Sequence, residues 1–199
     1  MIKTNNLEKK YNNQIIIQNV NLDINEGKFY VFTGINGSGK STILKILSKV
    51  IFKSLGDIEL SGTISYLPDK YSLPGLMTVD NYLKNIINLY SLNLNSSDIL
   101  REYDIPNKKI KALSKGNLQK LGLVQALINP TDIYIFDEPL DGLDDFAKKL
   151  FKEKIKEKLK DNKTVIMSLH AKTLFNDLHP IIYEVKEGRI NEKKKRLQA

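Results

Sequence analysis

With 199 residues and no cysteine, the chain is large enough to bury most of its apolar surface around one core, and disulfides and zinc–thiolate sites are excluded. A formal net charge of +8 leaves nucleic acid and anionic membrane surfaces open as partners, because clustered Lys and Arg gain from counterion release or from lipid headgroups. Met1 to Asn6 lacks the apolar core of a secretion signal, and no apolar run approaches the ~20 residues that span a bilayer, so a cytoplasmic setting is expected.

In chain order, Ile15-Ile16-Ile17, Phe29-Tyr30-Val31-Phe32 and two segments on either side of Ser61-Gly62 read as short strands. One helix interrupts them, starting near Ser38, with Ile43, Leu44, Leu47 and Ile51 as its apolar stripe. From Thr78 to Ile128 the periodicity becomes helical. Val79, Leu83, Ile86, Ile87 and Tyr90 line one face, Asn93 to Ser97 make a polar break, and a second helix follows Gly116. Ile133 to Phe136 and Thr164 to Leu169 read as buried strands on either side of a charged amphipathic helix, Asp145 to Lys160. Ile181 to Ile190 reads as a hairpin turning at Glu187-Gly188. The positive charge gathers in Lys148 to Lys163 and in Lys193 to Arg196, a pattern that suits a solvated helix face and a tail. Alternating strands and helices predict an α/β fold with a largely parallel sheet, an antiparallel β portion near the N-terminus and an inserted helical lobe. The division is a single domain, with residues 1–77 and 129–199 as core and 78–128 as the insert.

Gly34-Ile35-Asn36-Gly37-Ser38-Gly39-Lys40-Ser41-Thr42 satisfies G-x-x-x-x-G-K-[ST] between an apolar strand and a helix, the context that makes this pattern specific. A polyphosphate needs many donors close to its oxygens. Glycines let the backbone approach, successive N–H groups form a nest, and the helix N-terminus adds partial positive charge. Lys40 supplies a point charge to the β- and γ-phosphates, and the Ser41 hydroxyl can ligate Mg²⁺. Farther on, the strand Ile133 to Phe136 ends in Asp137-Glu138-Pro139, two acids at the C-terminal edge where ligands bind in open α/β sheets. Asp137 is the candidate Mg²⁺ residue, and Glu138 the candidate base or orienter of the attacking water.

Between these sites, Leu113-Ser114-Lys115-Gly116-Asn117 and the run to Leu127 resemble the LSGGQ signature of ABC ATPases and its helix. The resemblance covers nearly the whole chain. It implies an ATPase that uses ATP and Mg²⁺ and works as a dimer, in which the phosphate loop of one subunit and Ser114 and Gly116 of the other hold each nucleotide. It also implies an adenine contact at Tyr11, a D-loop at Leu143-Asp144 and a γ-phosphate-sensing switch at His170. Three departures stand out. Lys115 and Asn117 replace the usual Gly and Gln, Asp141-Gly142 opens the D-loop, and Tyr66-Leu67-Pro68-Asp69-Lys70 places Asp69 where the family has a metal-contacting Gln. Asp69 is therefore a third candidate metal residue, although its shorter arm and the rigid Pro68 favour a place beyond the metal.

The resemblance implies the motor subunit of a membrane transporter, peripheral to the inner face of the membrane and partnered by separate transmembrane permease subunits and a second ATP-binding subunit. The short insert and the Pro-acidic replacement resemble exporter-type or peptide-handling systems more than nutrient importers. Two alternatives are a non-transport ATPase acting on ribosomes or nucleic acid, and a weakly active subunit of a heteromeric motor. Nucleic acid is not the expected partner, because the tandem domains and coiled-coil insertions of such members are missing. Retention of Lys40, Asp137, Glu138 and His170 argues for activity.

Overall fold

The computed structural model describes residues 1–12, 14–170 and 173–193; Lys194 to Arg196 of the basic tail lie outside the described residues, as does Asn13. Strands β1 (Ile2–Tyr11) and β2 (Gln14–Ile24) form a long antiparallel hairpin. Beyond β3 (Phe29–Thr33), β4 (Leu55–Leu60) pairs with the other edge of β1 to complete a three-stranded sheet. Ile2, Leu7, Ile17, Leu22 and Ile24 point inward while Lys3 and Asp23 face solvent, the alternation of a sheet buried on one side. That alternation made the hairpin look shorter in sequence than it is, since only the Ile15 to Ile17 run breaks it with consecutive apolar residues.

The second sheet has the order β5-β6-β7-β3-β8-β9, with β5 (Ile64–Leu67), β6 (Ile133–Asp137), β7 (Thr164–Ser168), β8 (Ile181–Lys186) and β9 (Arg189–Glu192). All neighbours pair in parallel except β8 and β9. Their turn at Glu187-Gly188 takes positive φ at both residues, as a tight hairpin requires. Every residue of β6 and β7 is buried, because both faces of the sheet are covered. Helix α1 (Lys40–Leu47) covers one face through Ile43, Leu44, Ile46 and Leu47. Helix α5 (Asp145–Lys160) covers the other through Ala147, Phe151 and Ile155, with Phe151 edge-on to Phe136 at 5.2 Å.

Helix α4 (Lys115–Ile128) is buried on several sides. Leu123, Ala126 and Leu127 pack towards the sheet, while Leu121 and Val124 pack with Val79, Leu83 and Ile87 of α2 (Val79–Leu89) and Ile99 of α3 (Ser96–Glu102). A helix buried this way carries little amphipathic signal. Helix α3 begins inside the segment expected to be a polar break. Asn95 is its N-cap, accepting a hydrogen bond from the Ser97 N–H at 2.8 Å, so residues that look like a loop in sequence are a helix start. Tyr90 ends α2 as its exposed C-cap instead of joining the apolar face. The short 3-10 segment Thr173–Leu178, which has no periodicity to announce it, seats the fully buried Phe175.

Candidate functional site

The loop between β3 and α1 frames a cleft of about 360 Å³ lined by Ile16, Asn36, Gly37, Gly39, Lys40, Ser41, Thr42, Asp69, Glu138, Asp141 and His170. Gly39 stands at φ 108 directly before α1, so the helix begins at Lys40, two residues later than Ser38. A side chain at Gly39 would have its Cβ 2.8 Å from Ile17 Cδ1, whereas one at Gly37 (φ 77) would meet nothing within 4 Å. Gly39 is thus held by packing against β2, while Gly37 leaves room above the loop for a ligand. Lys40 is 5% exposed, and its Nζ donates to the Gly34 and Ile35 carbonyls at 2.9 and 3.2 Å. Gly34 and Ser38 are not among the residues that line the cleft.

The opposite wall comes from the end of β6. Glu138 has φ 53, a left-handed conformation that a non-glycine residue adopts only where its surroundings enforce it. Its N–H donates to Ser168 Oγ at 2.9 Å, and the Ser168 hydroxyl donates to Asp137 Oδ1 at 2.6 Å. One buried hydroxyl therefore orders both acids. Glu138 Oε1 lies 3.6 Å from Lys40 Nζ, and its Oε2 lies 2.6 Å from His170 Nε2. Burial raises the Glu138 carboxyl above the usual carboxylate range, against the opposing pull of His170 and Lys40. An ammonium, loop amides and two hydroxyls thus face a carboxylate base across a cleft, an arrangement that can cradle phosphates and orient a water.

Asp137 is 1% exposed, and its Oδ2 has no hydrogen-bond partner among the described residues. A buried carboxylate oxygen is costly unless a cation or an ordered water meets it, so the site fits Mg²⁺ approached through water. Ser41 lines the cleft, whereas the buried Asp137 is not part of its lining. Asp69 is exposed at its rim, and no three acids or imidazoles among the described residues gather into a metal cage. That suits an ion whose remaining ligands are waters and phosphate oxygens.

Ser114 and Gly116 do not line the cleft. Ser114 is the exposed N-cap of α4, accepting from the Asn117 N–H at 3.2 Å. A Cβ at Gly116 would stand 2.8 Å from the Gly142 carbonyl, so this glycine lets α4 sit against the loop that follows Glu138. Gln119 Nε2 donates to the Pro139 carbonyl at 3.1 Å, and the buried Lys120 pairs with Asp144 at 3.0 Å. Tyr11 also stays out of the lining; it is 47% exposed, with Lys9 Nζ 4.7 Å from its ring centroid. In the sequence Asp141 stands out only as an unusual start to the D-loop, and nothing there singles out Ser168, Gln119 or Lys120. Ser168 is a polar residue ending an apolar strand in register with Asp137, and that pairing is the signal that would have found it.

Ser168→Ala is expected to lower stability by about 1–3 kcal/mol, the cost of leaving buried polar partners unsatisfied. Turnover should fall with it, because both acids lose their common anchor. Thermal melting and steady-state ATPase assays read the two effects separately, and a variant unchanged in both would remove Ser168 from the site.

A phosphate-loop strand–turn–helix facing an acid pair at the end of the parallel strand next but one in the sheet defines a P-loop nucleotide-binding domain. The ABC transporter family model matches residues 17–141. An uncharacterized ABC transporter ATP-binding protein of Methanocaldococcus jannaschii is 32% identical over 198 residues, covering 94% of this chain and 75% of that protein. A lantibiotic transport ATP-binding protein of Streptococcus pyogenes is 31% identical over 203 residues, covering 96% and 89%. Among solved structures, a dimeric bacterial ABC transporter cassette superposes with a TM-score of 0.83 at 26% identity, covering 98% of this chain and 99% of that one. The chain belongs to the ABC transporter family; it is an ATP-binding subunit of that family and an ATPase.

Proposed function

We propose that this ATPase works as a pair of ATP-binding subunits closing around two Mg-ATP, and that closure drives separate transmembrane subunits. The observation that carries the reading is the placement of Ser114 and Gly116 outside the cleft of their own chain. A hydroxyl and a helix N-terminus exposed there are free to meet the γ-phosphate bound by a second copy. In this reading Asn36 to Thr42 hold the phosphates, Ser41 and Asp137 face Mg²⁺, Glu138 orients the attacking water and His170 senses the γ-phosphate. Tyr11 turns towards adenine once nucleotide enters. Asp69 stays at the rim, and Asp141 adds charge beside Glu138.

A groove of about 340 Å³ between β5, α2 and α4, lined by Leu67, Tyr82, Ile86 and Leu89 together with the polar Gln125 and Asn129, offers a mixed polar and apolar seat for a cytoplasmic segment of the transmembrane partner. Leu89 is 74% exposed at its edge, an orientation that a partner would cover. No helix among the described residues is long and apolar enough to cross a membrane, so the membrane passage belongs to other chains in this proposal. Export is the favoured direction: the relatives include a lantibiotic transport protein and a cytochrome c biogenesis export protein, although zinc import proteins also match.

Light scattering tests the composite site. The Glu138→Gln chain should double its mass on adding Mg-ATP, and Ser114→Arg in that background should return it to a monomer that still binds ATP. A Glu138→Gln chain that stays monomeric in saturating ATP, or a Ser114→Arg chain that still dimerises, overturns the composite-site model.

A further inference from the structure

Three buried polar atoms in the described structure have no hydrogen-bond partner: Ser38 Oγ, Asp137 Oδ2 and the hydroxyl of Tyr66. Tyr66 pairs with Ile135 in the parallel register of β5 and β6, and Asp137 lies two residues farther along β6. Residues two apart on a strand share a face, and aligned residues of parallel neighbours do too, so Tyr66 and Asp137 project to the same side of the sheet. That side is the one α1 covers: Tyr66 packs, partly buried, against the cluster that holds Ile43, Leu44, Ile133 and Ile135. Its ring packs on that core, and its hydroxyl is buried without a hydrogen-bond partner among the described residues. Burial and the charges of Asp137 and Asp69 push the phenol above its usual range, so it remains a neutral O–H.

A tyrosine that served only as apolar filling would be better as phenylalanine, because a buried hydroxyl without a partner costs stability. Two orphan oxygens on the same face of adjacent strands, one an acceptor and one able both to donate and to accept, describe a place for ordered water. We propose that Tyr66 is a positioning residue for the divalent cation: its hydroxyl hydrogen-bonds the water shell that Asp137 also holds, and so fixes the ion against the phosphate loop. The proposal rests on the reading of Asp137 as the metal-facing acid. It adds to that acid a partner on the neighbouring strand, outside the residues that line the cleft.

Tyr66→Phe removes one oxygen and keeps the ring. The test measures Mn²⁺ binding by the EPR signal of the free ion, in saturating non-hydrolysable ATP analogue, for wild type, Tyr66→Phe and Asp137→Asn. Nucleotide affinity in EDTA and melting temperature without ligand are measured alongside. Tyr66→Phe should bind Mn²⁺ about 3- to 10-fold more weakly, the effect of one hydrogen bond. Its affinity for nucleotide in EDTA should match wild type, and its melting temperature should be equal or higher. Equal Mn²⁺ affinity in wild type and Tyr66→Phe, with Asp137→Asn weakened, overturns the role of Tyr66 alone. Equal affinity in all three overturns the metal reading of Asp137 as well. A lower melting temperature for Tyr66→Phe with unchanged Mn²⁺ affinity would make the hydroxyl a structural support and defeat the proposal.

Discussion

Glu138→Gln is expected to slow ATP hydrolysis by roughly 10²- to 10⁴-fold while leaving nucleotide affinity close to wild type, the loss that follows removal of a general base. The amide keeps the size of the side chain and can still accept from His170, but it cannot take a proton from water. The pH dependence follows from the raised carboxyl. A base must be ionised, so wild-type activity should fall on acidification at a higher pH than an ordinary Glu would give. Stability moves the other way. A carboxyl whose folded pKa lies above its unfolded value binds its proton more tightly when folded, so its contribution to stability is lost as pH rises through that window. At neutral pH the Gln variant should therefore melt no lower than wild type, and the difference should shrink as pH drops below the window. A variant that hydrolyses ATP at the wild-type rate, or that melts well below wild type at neutral pH, contradicts the assignment.

What could be read in the sequence follows from where each signal is stored. The phosphate loop was legible because its chemistry is local: three glycines, a lysine and a hydroxyl must share one short loop to wrap one group of oxygens. Strands β6 and β7 were legible because burial on both faces forces unbroken apolar runs. Helix α5 was legible because one face meets solvent and the other meets Phe136 and Val165. Residues acting across strands were silent. Ser168 looks like the polar end of a strand until its pairing with Asp137 is known, and Tyr66 looks like core until its register beside Ile135 places its oxygen. Helix α3 was lost for a different reason: Asn95 and the serines after it favour caps and turns equally, and only the burial of Ile99 separates the two. The pairing of Lys120 with Asp144 joins segments that periodicity treats as unrelated.

Lys40→Ala is expected to weaken ATP binding by on the order of 10²-fold, because a hydrogen bond to a charged group contributes about 1.5–3 kcal/mol and Lys40 serves more than one phosphate oxygen. Its ammonium is already in place in the described structure. The side chain is nearly buried, tethered to the Gly34 and Ile35 carbonyls and aimed across the cleft at Glu138, so little side-chain entropy remains to be lost when nucleotide arrives. Removing it has two further consequences. The two carbonyls lose their shared donor, and Glu138 loses a cation that pulls its carboxyl down, which should move any residual activity to still higher pH. Arg is not a substitute, since a planar fork does not fit where the ammonium is 5% exposed, and Lys40→Arg should fail almost as completely. Melting curves with and without Mg-ATP separate lost binding from lost folding. Wild type should gain stability with ligand concentration, whereas the Ala variant should keep its own melting temperature and show little gain. A variant whose Mg-ATP affinity by calorimetry equals wild type would defeat the placement of the triphosphate on this loop, since no other buried cation lines the cleft among the described residues.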